Sequence, residues 1–196
     1  SLSKSKKSLI GIFGNNVSEI VKIGIDNDRN ETKKYWLYFD NESKNIILSF
    51  QGSTFDSYAN DWTNYNFNSS GESIIFNKFG KFTTYPGHTK LAEKLCFGGL
   101  DKDGSKRLGG ILFGERKINE IPIIHSDFFD TNKEKEFKPF YDNNNNLPLL
   151  EFCNQYDYNK IIITGHSLGA AVANITYLFM LIHPEYRKLI NKIKLF

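Results

Sequence analysis

Near its C-terminal end this 196-residue chain carries seven residues whose types and spacing suit nucleophilic chemistry: Gly165-His166-Ser167-Leu168-Gly169-Ala170-Ala171. The run Ile161-Ile162-Ile163-Thr164 precedes them, and Val172-Ala173-Asn174-Ile175-Thr176-Tyr177-Leu178 follows. A buried strand, a Gly-x-Ser-x-Gly turn and a helix in that order make a nucleophile elbow, which holds a serine hydroxyl exposed on a strained bend. Ser167 is therefore the candidate nucleophile. The glycines have a steric reason: a strand that reverses sharply into a helix brings the residues two before and two after the turn close together, and a Cβ at Gly165 or Gly169 would clash. The helix that follows directs its free N–H groups and positive dipole end toward Ser167, where negative charge would form on an attacked carbonyl. The N–H of Leu168 is a natural donor to that charge. A plain glycine-rich turn would need neither four β-favouring residues before it nor an alanine-rich helix start after it.

A second segment lies far upstream. Asn45-Ile46-Ile47-Leu48-Ser49-Phe50 reads as another buried strand and runs into Gln51-Gly52-Ser53-Thr54, then Asp61-Trp62. These residues, the Ile124 to Phe129 stretch IHSDFF and the elbow sequence IIITGHSLGAA together resemble the class 3 (fungal-type) triacylglycerol lipase family of α/β-hydrolases. The resemblance runs from about Tyr35 to the end of the chain. It implies an α/β-hydrolase fold with a mostly parallel central sheet and flanking helices. It also implies Ser167 as nucleophile, Ser53 as the first oxyanion residue and Leu168 as the second, with Gly165, His166 and Gly169 building the elbow. Taken alone, Ser53 would read as an ordinary polar turn after a strand.

Two positions depart from the family pattern. Gln51 stands where an arginine is usual, and Asp127 where the His-x-Gly-Phe segment has glycine. In this family the acid and the histidine of the triad follow the nucleophile in chain order. Only 29 residues follow Ser167 here (196 − 167), so the triad Asp and His are not identifiable in this chain. Residues 1–196 accordingly read as one lipase-like domain that is C-terminally incomplete, with Lys192-Ile193-Lys194-Leu195-Phe196 as the beginning of a next parallel strand.

Four histidines are present, His88, His125, His166 and His183. A general base must reach the serine oxygen, and each of these has a structural reading. His166 adjoins the nucleophile with its side chain turned away, His125 opens the His-x-Gly-Phe-like segment, and His183 precedes Pro184 as a helix cap. His88 sits in an insertion.

That insertion, residues 63–122, exceeds the short lid and connection expected for such a fold by roughly forty residues. It holds Phe76, Phe79, Phe82, Tyr85, Phe97, Leu108, Ile111, Leu112 and Phe113, with glycines at Gly98, Gly99, Gly109 and Gly110. An enlarged lid with an apolar inner face is one reading. The other is that Leu91 to Leu112 packs into the core or makes a surface excursion.

The remaining elements follow from pattern. Leu9 to Ile25 reads as an N-terminal helix or irregular cover, Tyr35 to Phe39 and Ile46 to Phe50 as an antiparallel pair, Leu147 to Tyr156 as a helix, and Leu168 to Ile182 as the helix stopped by Pro184. Strands alternating with helices imply right-handed crossovers in a mostly parallel sheet.

Composition bounds the rest. With 40% hydrophobic residues in 22.6 kDa the chain can bury one substantial core. Its 25 basic and 22 acidic residues give a net charge of +3 and no polyelectrolyte character, and no clustered basic face with interleaved aromatics points to nucleic acid. Two cysteines, Cys96 and Cys153, allow one disulfide but no framework, which leans toward an intracellular protein. No apolar run reaches transmembrane length. The expectation is a serine ester hydrolase acting on acylglycerols or related lipid esters, at a lipid–water interface, with no metal or organic cofactor. The alternative is a lipase-like domain that binds lipid or protein without turnover.

Overall fold

The structure is a computed structural model that describes residues 17–23, 35–53, 73–77, 80–100, 106–112, 116–117, 124–125 and 148–196. Its centre is a five-stranded sheet of β1 (Val17–Ile23), β2 (Tyr35–Asp40), β3 (Asn45–Phe50), β10 (Lys160–Gly165) and β11 (Ile193–Leu195), in that spatial order. The strands numbered between them form two small sheets. One joins β4 (Ser73–Asn77), β5 (Gly80–Thr84) and β9 (Ile124–His125); the other joins β6 (Gly98–Leu100), β7 (Lys106–Gly109) and β8 (Arg116–Lys117).

The central sheet is mixed. β3, β10 and β11 run parallel, whereas β1 and β2 run antiparallel to their neighbours. The antiparallel pair follows from a turn only four residues long. Asp40 folds its carboxylate back over that turn, accepting from the N–H of Glu42 at 3.2 Å and from the Ser43 hydroxyl, and Lys44 closes it at φ 56°. The parallel pairs need crossovers, and the one from β10 to β11 runs through α3 (Leu168–Ile182).

Alternation along the strands decides which face is covered. Leu37, Phe39, Ile46, Leu48, Ile161, Ile163 and Ile193 point to one face and join the main core, while Tyr38 and Ile47 with Trp36 and Ile162 cluster on the other. Over the first face lie α1 (Pro86–Phe97), α2 (Leu149–Cys153), α3 and the short α4 (Pro184–Arg187). Each fully buried Ile or Leu contributes about 1.5–3 kcal/mol. α3 is the central helix, packing on β10, β3, β11 and α1.

Residues 91–97 and 111–112 supply core. Leu91, Ala92, Leu95, Cys96, Phe97, Ile111 and Leu112 are all buried in the main cluster, and Phe97 meets Phe179 of α3 with ring centroids 4.9 Å apart. The backbone explains why residues 110–112 enter with the helix. Ile111 and Leu112 donate their N–H groups to the carbonyls of Leu95 and Cys96 at 2.9 and 3.0 Å, capping the end of α1.

Two expectations are corrected. The N-terminal segment read as helix or cover contains β1 over Val17–Ile23, because the β-branched Val17, Ile20, Val21 and Ile23 suit a strand paired to β2 better than a helix. The helix expected over Leu147 to Tyr156 shrinks to Leu149–Cys153, after which the chain continues in shorter-range turns from Gln155 to Phe152 and from Tyr156 to Cys153. Tyr156 then stacks on Phe39 at 4.4 Å between centroids, which fixes that end of the chain on β2.

Candidate active site

β10 ends at Gly165 and α3 starts at Leu168, so His166 and Ser167 make the whole reversal from strand to helix. A bend this tight forces Ser167 to φ 54° and ψ −123°, a region L residues rarely occupy. Ser167 is exposed there, at the C-terminal edge of the parallel strands.

Close backbone approach makes the two elbow glycines obligatory. A Cβ on Gly165 would lie 2.8 Å from the nitrogen of Ala170, and one on Gly169 would lie 2.8 Å from the carbonyl carbon of Phe50. The first contact is the strand against the start of its own helix, and the second is that helix against the end of β3. The Gly169 contact also brings the Gln51-Gly52-Ser53 segment to Ser167. A Cβ on Gly52 would stand 3.4 Å from the Cβ of Ser167 and would collide with the carbonyl oxygen of His166. Ser53 is the next residue, half-buried like Gln51 and Gly52.

The arrangement therefore brings together Ser167, Leu168, Gly165, His166, Gly169 and the Gly52-Ser53 turn. Leu168 is the first residue of α3, so its N–H has no carbonyl within the helix to bond. The next donors are used in the turn itself: Gly169 N–H bonds His166 O at 2.9 Å and Ala170 N–H bonds Ser167 O at 2.9 Å. The Gln51 side chain, where the resemblance implies arginine, places its Oε1 in a buried position with no hydrogen-bond partner among the described residues. Its other neighbours in the resemblance, Asp61, Trp62 and Asp127, lie outside the described residues.

The histidines are dispersed. His166 is exposed at the elbow, and His125 ends β9 in one of the small sheets. His183 ends α3, about 24 Å along the helix from Ser167 at 1.5 Å per residue. There it caps a helix, but the next one: its Nδ1 accepts from the N–H of Glu185 at 3.4 Å at the start of α4. His88 lies in the first turns of α1, half-buried, with its ring at 5.6 Å in an edge contact with Tyr85, and burial holds its pKa below the ordinary histidine value. Among the described residues no imidazole is hydrogen-bonded to the Ser167 hydroxyl.

Both cysteines are free and buried. Burial pushes the Cys96 and Cys153 thiols up to about 12, far from a reactive thiolate. Among the described residues no group of histidine, cysteine and carboxylate side chains could hold a metal ion, and no helix is long and apolar enough to cross a membrane.

A strand, a strained serine and a helix packed against a parallel neighbour define the α/β-hydrolase arrangement. Residues 124–196 match the family Lipase (class 3). The match includes the elbow and leaves out the Gly52-Ser53 turn. Two solved structures show similarity at low sequence identity. One is a triacylglycerol lipase whose catalytic centre is a serine protease triad, 13% identical with a TM-score of 0.47, covering 91% of this chain and 46% of that one. The other is the Rhizomucor miehei triacylglyceride lipase, 13% identical with a TM-score of 0.48, covering 97% and 54%. The chain thus spans about half the length of these lipases. No curated protein sequence matches it.

Proposed function

We propose that this protein is a serine ester hydrolase acting on acylglycerols or related lipid esters. The observation that carries the reading is Ser167 itself, exposed at φ 54° between two glycines that admit nothing larger. A strained backbone costs about 1–3 kcal/mol and persists where the surroundings impose it, most often at functional sites.

In this reading the Ser167 hydroxyl attacks the ester carbonyl and gives its proton to an imidazole base. The carbonyl oxygen becomes an oxyanion held by the N–H groups of Leu168 and Ser53, from two different strand ends. Each such donor is worth about 10²–10³ in rate. Collapse of the tetrahedral species expels the alcohol, which takes the proton from the imidazolium, and leaves an acyl group on Ser167. Water, deprotonated by the same base, then releases the carboxylic acid and restores the serine. The family match over the elbow supports a lipid ester as substrate. The lid reading for residues 63–122 belongs to the same proposal and concerns those parts outside α1 and residues 110–112.

A second reading rests on a specific observation: no described imidazole bonds Ser167. A lipase-shaped domain that binds lipid or protein without turnover would need none. Fluorophosphonate labelling of the full-length protein, located by peptide mass spectrometry, separates the two. Labelling at Ser167 that disappears in Ser167→Ala is the expected result. A folded protein that takes no label would leave the binding domain.

A further inference from the structure

Beyond α1 the chain leaves the core and returns to it at the same point. Gly98, at φ 81°, follows the last residue of the helix, and a Cβ on Gly110 would stand 2.5 Å from the Phe97 Cα. Ile111 and Leu112 then bond the carbonyls of Leu95 and Cys96. Strand β6 therefore starts from the buried end of α1, β7 leads back to it, and β8 pairs with β7 as the outer strand.

The register of this small sheet sets like charges against like. Lys106 of β7 is directly opposite Lys117 of β8, and Arg107 is directly opposite Arg116. Residues opposite one another in an antiparallel pair share a face, and like charges there destabilise the pair. On the β6 side, Leu100 is opposite Arg107 and Leu108 is opposite Gly99. With alternation along each strand, one face holds Lys106, Lys117 and Leu108, and the other holds Arg107, Arg116 and Leu100. Among the described residues of this sheet none is acidic and none is aromatic. The chain as a whole is nearly balanced, with 25 basic and 22 acidic residues. Strand pairing, by joining two short basic segments, makes a concentration of charge that composition does not have.

A ladder whose facing positions are all cationic is held at a cost in water and gains wherever an anionic surface approaches it. Leucines among the cations suit a lipid boundary, where apolar residues meet the acyl edge and cations meet the headgroups. Single-stranded nucleic acid would call for aromatic residues on which bases stack, and the described sheet has none.

We propose, resting on the lipid-ester reading above for the choice of partner, that the sheet of β6, β7 and β8 is a docking surface for an anionic phospholipid membrane, bound through Lys106, Arg107, Arg116 and Lys117. Its main-chain clamp on α1 ties this sheet to the core, so that docking holds the hydrolase domain at the lipid surface.

The test is co-sedimentation of the full-length protein with phosphatidylcholine vesicles and with vesicles that also contain phosphatidylserine. Binding should require phosphatidylserine and weaken as salt screens the charges. Each cation near such a surface is worth about fivefold in affinity, so changing all four to glutamine should cost roughly several hundredfold. A comparison variant with Lys44→Gln, Lys160→Gln, Lys188→Gln and Lys194→Gln makes the same change in net charge elsewhere and should keep most of the binding. Should the first variant fail to fold, Lys117→Glu alone sets an opposite charge across from Lys106. It should hold or raise the Tm and weaken vesicle binding by about twentyfold, the worth of two charges.

Failure of the folded, unaltered protein to bind phosphatidylserine vesicles overturns the inference. So does binding that survives loss of the four cations, or binding that both fourfold variants lose equally, which would be an effect of net charge alone. Retention on heparin without vesicle binding would point to a different polyanion and overturns it too. Fluorophosphonate labelling of Ser167 should be the same in the fourfold variant as in the unaltered protein. A protein that labels at Ser167 but does not dock sinks this inference alone, and one that docks without labelling sinks the hydrolase reading alone.

Discussion

Gly169 and Phe50 touch backbone to backbone, with a Cβ on the glycine 2.8 Å from the Phe50 carbonyl carbon. This single approach locks the first turn of α3 onto the end of β3, and so holds the Gly52-Ser53 turn against Ser167. Neither side of the contact can move cheaply, because both are main chain.

Gly169→Ala should therefore destabilise the protein by at least the 1–3 kcal/mol of ordinary overpacking, roughly. A thermal melt would show the loss, and fluorophosphonate labelling of Ser167 should fall further than the melt alone explains, since the elbow moves relative to Ser53. A variant with unchanged Tm would mean that the contact is not as tight as described.

Replacing Ser167 by glycine should have the opposite effect on stability. Ser167 sits at φ 54° and ψ −123°, and glycine relieves strain of about 1–3 kcal/mol there, less the ~0.5–1 kcal/mol that glycine costs by loosening the unfolded chain. Ser167→Gly should raise the Tm by a few degrees and abolish labelling; a lower Tm would argue that Ser167 is unstrained.

Tyr186→Phe isolates the link between α4 and residues 110–112. It removes the hydroxyl that bonds Leu112 O at 2.5 Å in a fully buried site, leaving a carbonyl short of a partner at a cost of about 1–3 kcal/mol. Chemical denaturation should report that loss with no change in Ser167 labelling, since Tyr186 lies at the far end of α3 from the elbow.

Alkaline pH should weaken the fold through the thiols. Cys96 and Cys153 are raised from 9.0 to about 12 by burial. An acid whose folded pKa is raised keeps its proton longer when folded, so this stability is present below pH 9 and is lost as pH climbs toward 12. Melts at pH 8 and pH 10.5 should show a falling Tm, and Cys96→Ala with Cys153→Ala should flatten the slope. In the folded protein at pH 8, iodoacetamide should leave both thiols unmodified.

Much of this site is local, and local features are legible in a sequence. Ile161 to Thr164, the two glycines and the alanine-rich start of α3 specify strand, bend and helix within about twenty residues, because the clash that demands glycine and the free N–H at a helix start depend on near neighbours alone. The pairing of Tyr35 to Phe39 with Ile46 to Phe50 is equally local, set by a four-residue turn. Tertiary structure decided what distant segments do to one another. The β-branched residues of Val17–Ile23 carry no clear period, so only pairing with β2 made them a strand. Nothing in Leu91 to Leu112 distinguishes a lid from a core helix; only tertiary structure buries Leu91, Cys96, Phe97 and Leu112 in the main core. The meeting of α1 and α3 is marked by a contact across 80 residues, Cys96 to Thr176. A row of side chains finds its partner row through packing, and no periodicity within one helix records which other helix it will meet.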